Sequence, residues 1–158
     1  MSDARFEDGT DAPLLLAAQD GEGLSILSSL LQDAVFAITE MHYTKSRRRF
    51  ALLVNRFRWE DRAQAQAAKR GVERVQSLLV FHDVLAVQTA GIDRSDTDTV
   101  LSLLQIAFAP GPDGTGHATL VLSGDGSVAL TLEAIDVQLR DVTRPYLAPS
   151  GRVPSHDM

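Results

Sequence analysis

Residues 72–142 carry short apolar runs rich in Val, Leu, Ile and Thr, separated by turn-forming links, and this spacing constrains the fold more than any other feature of the chain. The runs are Val75 to Phe81, Val84 to Thr89, Leu101 to Phe108, His117 to Leu122 and Val128 to Leu139. Between them lie His82-Asp83, Gly91 to Thr99, Pro110 to Gly116 and Ser123-Gly124-Asp125-Gly126, with the Gly, Pro, Asp and Ser content of turns. A parallel crossover needs a dozen or more residues, so links this short predict antiparallel pairing. In the last run the apolar set moves from Val128, Leu130 and Leu132 to Ile135, Val137 and Leu139, which predicts a bulge near Glu133. A helix over 132–142 is the rival reading, because Leu132, Ile135, Leu139 and Val142 also suit helical spacing.

The preceding half, about 12–60, is mixed. Leu14 to Ala18 reads as a strand closed by Asp20-Gly21-Glu22-Gly23. Asp20 then serves as N-cap of an amphipathic helix over about 21–32, in which Leu24, Leu27, Leu30 and Leu31 recur at three- and four-residue spacing. Val35 to Tyr43 reads as one strand apolar on both sides, and Lys45-Ser46-Arg47 as the loop of a hairpin whose second strand is Phe50 to Phe57. Past Val54, Phe57 and Trp59 fall on one face and Arg56 and Arg58 on the other; the aromatic side is expected inside and the arginine side wet. Glu60 to Arg70 has helix-forming residues but no apolar stripe, so a marginal, exposed helix is expected near 60–70. The resulting fold class is α+β, mainly antiparallel sheet. The chain of 158 residues is read as a single domain, since each half alone is small for independent stability, with 1–11 and 148–158 expected as flexible tails.

With 44% hydrophobic and 23% charged residues the chain lies outside the disordered regime. Cysteine is absent, which removes disulfides, thiolate nucleophiles and cysteine-bound metals. The start is polar and acidic without the basic and apolar runs of an export signal, and no stretch of about 18 apolar residues occurs, so a soluble cytoplasmic protein without a membrane partner is expected.

Motifs for chemistry are weak. His42, His82, His117 and His156 are scattered without metal-ligand spacing, so no metal and no cofactor is expected. His82-Asp83 has the residue types of a base and its orienting carboxylate, but adjacent strand residues face opposite ways, no serine elbow completes them, and a polar turn is the simpler reading. An enzyme would need His82 to share a deep pocket with a distant carboxylate such as Glu133 or Asp136. Asp93, Asp96 and Asp98 fail the EF-hand pattern and read as a solvated acidic loop. Gly111 to Gly116 lacks the lysine and helix of a phosphate cradle.

Charge asymmetry is the feature above background. From Glu40 to Arg62 there are seven basic and three acidic residues, a net of +4, so the remainder sums to −10 in a chain of net charge −6. Lys45, Arg47, Arg48, Arg49, Arg56 and Arg58 are therefore the candidate anion- or partner-binding residues. Set against that is a plainer role, in which Arg47 to Arg49 cap a hairpin and blunt a strand edge.

Gln76-Ser77-Leu78-Leu79-Val80-Phe81-His82-Asp83-Val84-Leu85-Ala86-Val87, with Arg48 to Glu60 and Gly91-Ile92-Asp93-Arg94, resembles an alphaproteobacterial family of unknown function, DUF2948, over about 13–147. The resemblance implies a cytoplasmic setting, its genes often neighbouring those for a cell-wall precursor enzyme and a histidine-biosynthesis enzyme, and implies no activity. The expectation is a non-enzymatic interaction or assembly module that associates with itself or a protein partner. The alternative is small-anion or nucleic-acid binding through the basic 45–62 hairpin.

Overall fold

Two-residue periodicity places Phe50, Leu52, Val54 and Arg56 on one face of a strand and Ala51, Leu53, Asn55 and Phe57 on the other. This strand, β4 (Arg49–Phe57), is the spine of the fold. In the computed structural model, which describes residues 12–147, the other strands are β1 (Leu15–Ala18), β2 (Ala34–Ala37), β3 (Met41–Thr44), β5 (Arg74–Phe81), β6 (Val84–Ala90), β7 (Val100–Pro110), β8 (Gly116–Leu122), β9 (Ser127–Leu132) and β10 (Val137–Asp141). Two α-helices, α1 (Gly21–Leu30) and α2 (Arg62–Ala67), complete the α+β architecture. The expected flexible tails at 1–11 and 148–158 lie outside the described residues.

All strands join one antiparallel sheet in the order β1-β10-β5-β4-β2-β7-β8-β9-β6, with β3 also on β4. The β6 edge returns against the β3–β4 hairpin: the Val84 N–H donates to the Arg48 carbonyl at 2.8 Å, and Tyr43 Oη donates to the Val84 carbonyl at 2.9 Å. The inward faces of both ends of the curled sheet therefore share one core, with Phe50, Leu52, Leu79, Phe81 and Leu139 on one side and Leu103, Leu120, Leu130 and Leu132 on the other. Helix α1 closes this core with Leu24, Leu27 and the following Leu31. Asp20 caps it, accepting from the Gly23 N–H at 2.7 Å.

Three local expectations give way to tertiary pairing. Val35 to Tyr43 is not one strand: a 3-10 turn at Ile38–Glu40 divides it into β2 and β3, and both lie along β4 because the three turn residues absorb the register difference. The phase change near Glu133 is a break between β9 and β10 rather than a bulge; β9 pairs with β8 and β6, β10 with β5 and β1, and no helix forms. Likewise β5 and β6, linked only by His82-Asp83, do not pair with each other. Asp83, at φ 57°, turns the chain from one end of the sheet to the other, a left-handed conformation that Asp tolerates better than most residues. Gly91 at φ 70° makes the next sharp turn, where an added Cβ would sit 2.7 Å from the Asp125 carbonyl oxygen.

Candidate functional site

The even-numbered side of β4 that carries Phe50, Leu52 and Val54 into the core carries Arg56 there too, so its side chain is completely buried. Arg56 Nη1 and Nη2 donate to the two carboxylate oxygens of Glu60, each at 2.9 Å, and Nη2 also donates to Asp141 Oδ1 at 2.9 Å. Arg56 Nε donates to Ser77 Oγ at 3.0 Å, and Ser77 in turn donates to Asp141 Oδ1 at 2.7 Å. Asp141 Oδ2 accepts from the Leu14 N–H, so one carboxylate ties β10 to β4, β5 and the entry to β1. Burial lowers the affinity of Arg56 for its proton, but Glu60 and Asp141 outweigh it and the net shift is upward.

Arg58, also buried, donates to Glu73 and lies 3.5 Å from Asp61, whose Oδ2 accepts from Arg70 at 2.7 Å. Its backbone N–H donates to the Glu73 carbonyl at 2.8 Å. The arginine side is thus the inner one, contrary to the wet face expected from the alternation. Phe57 points the other way and is covered by Ala65 of α2, Val72 and Trp59, forming a separate small cluster. Trp59 Nε1 donates to the Gln32 carbonyl at 2.9 Å, and the Arg74 guanidinium stacks 4.5 Å above Phe57. The short α2 is what makes this reversal work, since it brings its own cover for the aromatic residues. Its six residues are fewer than the span expected near 60–70.

Of the six candidate basic residues, the structure leaves Lys45, Arg47, Arg48 and Arg49 exposed around the β3–β4 turn and puts Arg56 and Arg58 inside. Arg48, at φ 51°, pairs with Glu133 at 2.8 Å. Glu60 and Asp61 follow Arg56 and Arg58 at four- and three-residue spacing, the one sequence signal for pairing; Asp141 gives no such signal, being brought in by the β5–β10 ladder.

His82 and Asp83 meet Asp136 and Glu133 through the backbone: the His82 N–H donates to the Asp136 carbonyl and the Glu133 N–H to the Asp83 carbonyl. His42 and His117 are exposed, and His156 lies outside the described residues. The acidic loop is exposed, and Asp93 accepts from the Ser95 hydroxyl and N–H, which hold its carboxyl below the usual range. Among the described residues no His, Asp and Glu group is placed to hold a metal ion, and no helix is long and apolar enough to cross a membrane.

A family model described as "Protein of unknown function (DUF2948)" matches residues 14–156. The chain belongs to that family. The match takes in every strand of the DUF2948 fold described above together with the arginine network. No curated protein and no solved structure matches the chain.

Proposed function

We propose that this DUF2948 protein is a non-enzymatic assembly module that associates with a second copy of itself through the outward face of β4, β5 and β2. The observation that supports this reading is a contrast within one face. At one end α2 covers Phe57; beyond it, the cross-strand pairs Leu53–Leu78 and Ala51–Val80 point outward with Val35 and Ala37, and no element covers them among the described residues. Leu15 and Val100 at the margins are 68% and 65% exposed. A hollow of about 230 Å³ opens on this face beside Leu53, Ala37 and Val100, where the Ile38–Glu40 turn parts β2 from β4. Contiguous apolar surface rimmed by polar residues suits a protein contact.

A second copy fits because the charges are self-complementary. Arg140, opposite Leu78 on β10, flanks the apolar rows on one side, and Glu40 flanks them on the other. A two-fold axis through the rows brings each Arg140 toward the Glu40 of the other copy, the isologous arrangement of most homodimers.

Light scattering on protein eluting from size exclusion tests the reading. The expected result is a dimer that persists at high salt and becomes a folded monomer in Leu53→Glu and Leu78→Glu, with unchanged far-UV circular dichroism. A wild-type protein that stays monomeric at high concentration overturns it.

A second reading rests on a different observation: Lys45, Arg47 and Arg49 are exposed and have no ion-pair partner among the described residues. In that reading they bind a small anion or nucleic acid. Co-purifying nucleic acid that high salt removes, and that is lost when all three become Ala, supports it over assembly.

A further inference from the structure

The sheet curls without closing. Among the described residues β3 pairs only with β4 and β6 only with β9, so two strand edges without a ladder partner there face each other across a seam. The Tyr43 Oη–Val84 and Val84 N–Arg48 hydrogen bonds fasten one end of that seam. Beyond them the edges part into a slot of about 260 Å³.

The slot has a definite chemical make-up. Met41 and Tyr43 line it from β3, Val87 and Thr89 from β6, and the buried side chains of Phe50 and Val128 also line it. Arg94, in the loop after β6, supplies a cation. That loop also has three carboxylates, Asp93, Asp96 and Asp98. Asp93 accepts from the Ser95 hydroxyl and N–H, Asp96 accepts from the Asp98 N–H, and no ion pair to Arg94 forms among the described residues. Thr89 adds a hydroxyl beside the apolar wall.

We infer that the β3–β6 seam is a binding site for a small monocarboxylate with a compact apolar body, the body held among Met41, Phe50, Val87 and Val128 and the carboxylate by Arg94. The apolar walls reward an uncharged body by removing its surface from water. The guanidinium matches a carboxylate with paired donors, a geometry that an ammonium or a neutral hydroxyl does not satisfy. Size limits the ligand: the slot of about 260 Å³ lies at the small end of ligand pockets, which run ~300–1,000 Å³, and suits benzoate or hexanoate rather than a nucleotide. Inorganic phosphate lacks the body that the walls select. The site is separate from the outward face proposed for assembly, since Met41, Tyr43 and Phe50 point into the curl and Leu53 and Leu78 away from it.

Methyl-resolved NMR on the full chain, titrated separately with benzoate, hexanoate, benzyl alcohol, hexylamine and sodium phosphate, tests the inference. Either carboxylate is expected to shift the Met41, Val87 and Val128 methyls saturably, with phosphate and hexylamine leaving them in place. In Arg94→Gln, an exposed loop substitution that leaves the fold intact, carboxylate affinity is expected to fall about tenfold or more, the scale of one hydrogen bond to a charged group, while the weak binding of benzyl alcohol is unchanged. Val87→Phe, which fills the slot from β6, is expected to abolish both. The inference is overturned if neither carboxylate shifts those methyls at millimolar concentration, if Arg94→Gln binds them as well as the wild type, or if the shifts centre on the β3–β4 turn.

Discussion

At the hairpin end of β4, Lys45, Arg47 and Arg49 stand in solvent and pair with no carboxylate among the described residues; at its other end Arg56 and Arg58 carry the same charge at 0% and 3% exposure. One strand and its flanks thus carry exposed cations at one end and buried cations at the other. The difference lies in what the neighbouring elements deliver. Among the described residues the turn at Lys45–Arg47 gains a carboxylate only from the distant Glu133, through Arg48, whereas the far end of β4 meets β10 with Asp141, β5 with Ser77, the following turn with Glu60 and Asp61, and the approach to β5 with Glu73. An arginine enters a core only where carboxylates and hydroxyls arrive with it, because a buried charge left unpaired costs several kcal/mol.

The sharpest way to break this comparison is to remove one partner. Arg56→Ala strands Asp141 and Glu60, and is expected to destabilise the fold by ~3–5 kcal/mol in urea titration. Replacing Arg56 with Met and Asp141 with Leu together is expected to recover part of that loss, since Asp141 is then no longer left as a buried charge although Glu60 keeps no cation partner from Arg56; a double variant as unstable as Arg56→Ala would mean that the network holds the fold by something other than mutual charge. Raising the pH does not disturb it: the Arg56 proton affinity is raised on folding, so its contribution is present below the unfolded pKa and is lost only above the folded one, beyond the working range.

The Arg48–Glu133 pair lies between the extremes, its side chains 54% and 56% exposed. Solvent screens it, and Glu133→Ala is expected to cost under ~1 kcal/mol by the same titration, with a smaller cost at high salt. Changing Lys45, Arg47 and Arg49 singly to Ala is expected to move stability by no more than ~0.5 kcal/mol each; a larger loss would show that the hairpin charges hold structure. The smallest effect concerns Asp93, whose carboxyl is held low by Ser95 alone. Ser95→Ala is expected to move its NMR titration back up toward an ordinary aspartate, and any stability from that contact is present at neutral pH and lost as acid titrates the lowered pKa.

The outward face sharpens the comparison further, since Phe57 and Leu53 share one side of β4 and only Phe57 is covered. The alternation near the end of β4 was legible as Arg56 and Arg58 against Phe57 and Trp59, but which side is inner was not. A two-residue period separates two faces without saying which one a distant element will cover. The basic hairpin turn at Lys45–Arg47 was legible, because a charged turn needs no partner; the slot lined by Met41, Val87 and Arg94 was not, because its walls come from strands that do not pair with each other.

By itself the sequence determined what depends on near neighbours: the Asp20-capped helix over Gly21–Leu30, the turns after β3, β5, β7 and β8, the strand character of β5 to β9, and the antiparallel sense that short links impose. Tertiary structure alone decided what depends on residues far apart in the chain. That includes the division of Val35 to Tyr43 by the Ile38–Glu40 turn, the passage of β5 to β6 and of β9 to β10 between the two ends of the sheet, and the burial of Arg56 beside Asp141. Turn chemistry is local, while strand partners and the solvation of a charge are settled by whichever surfaces the folded chain brings together.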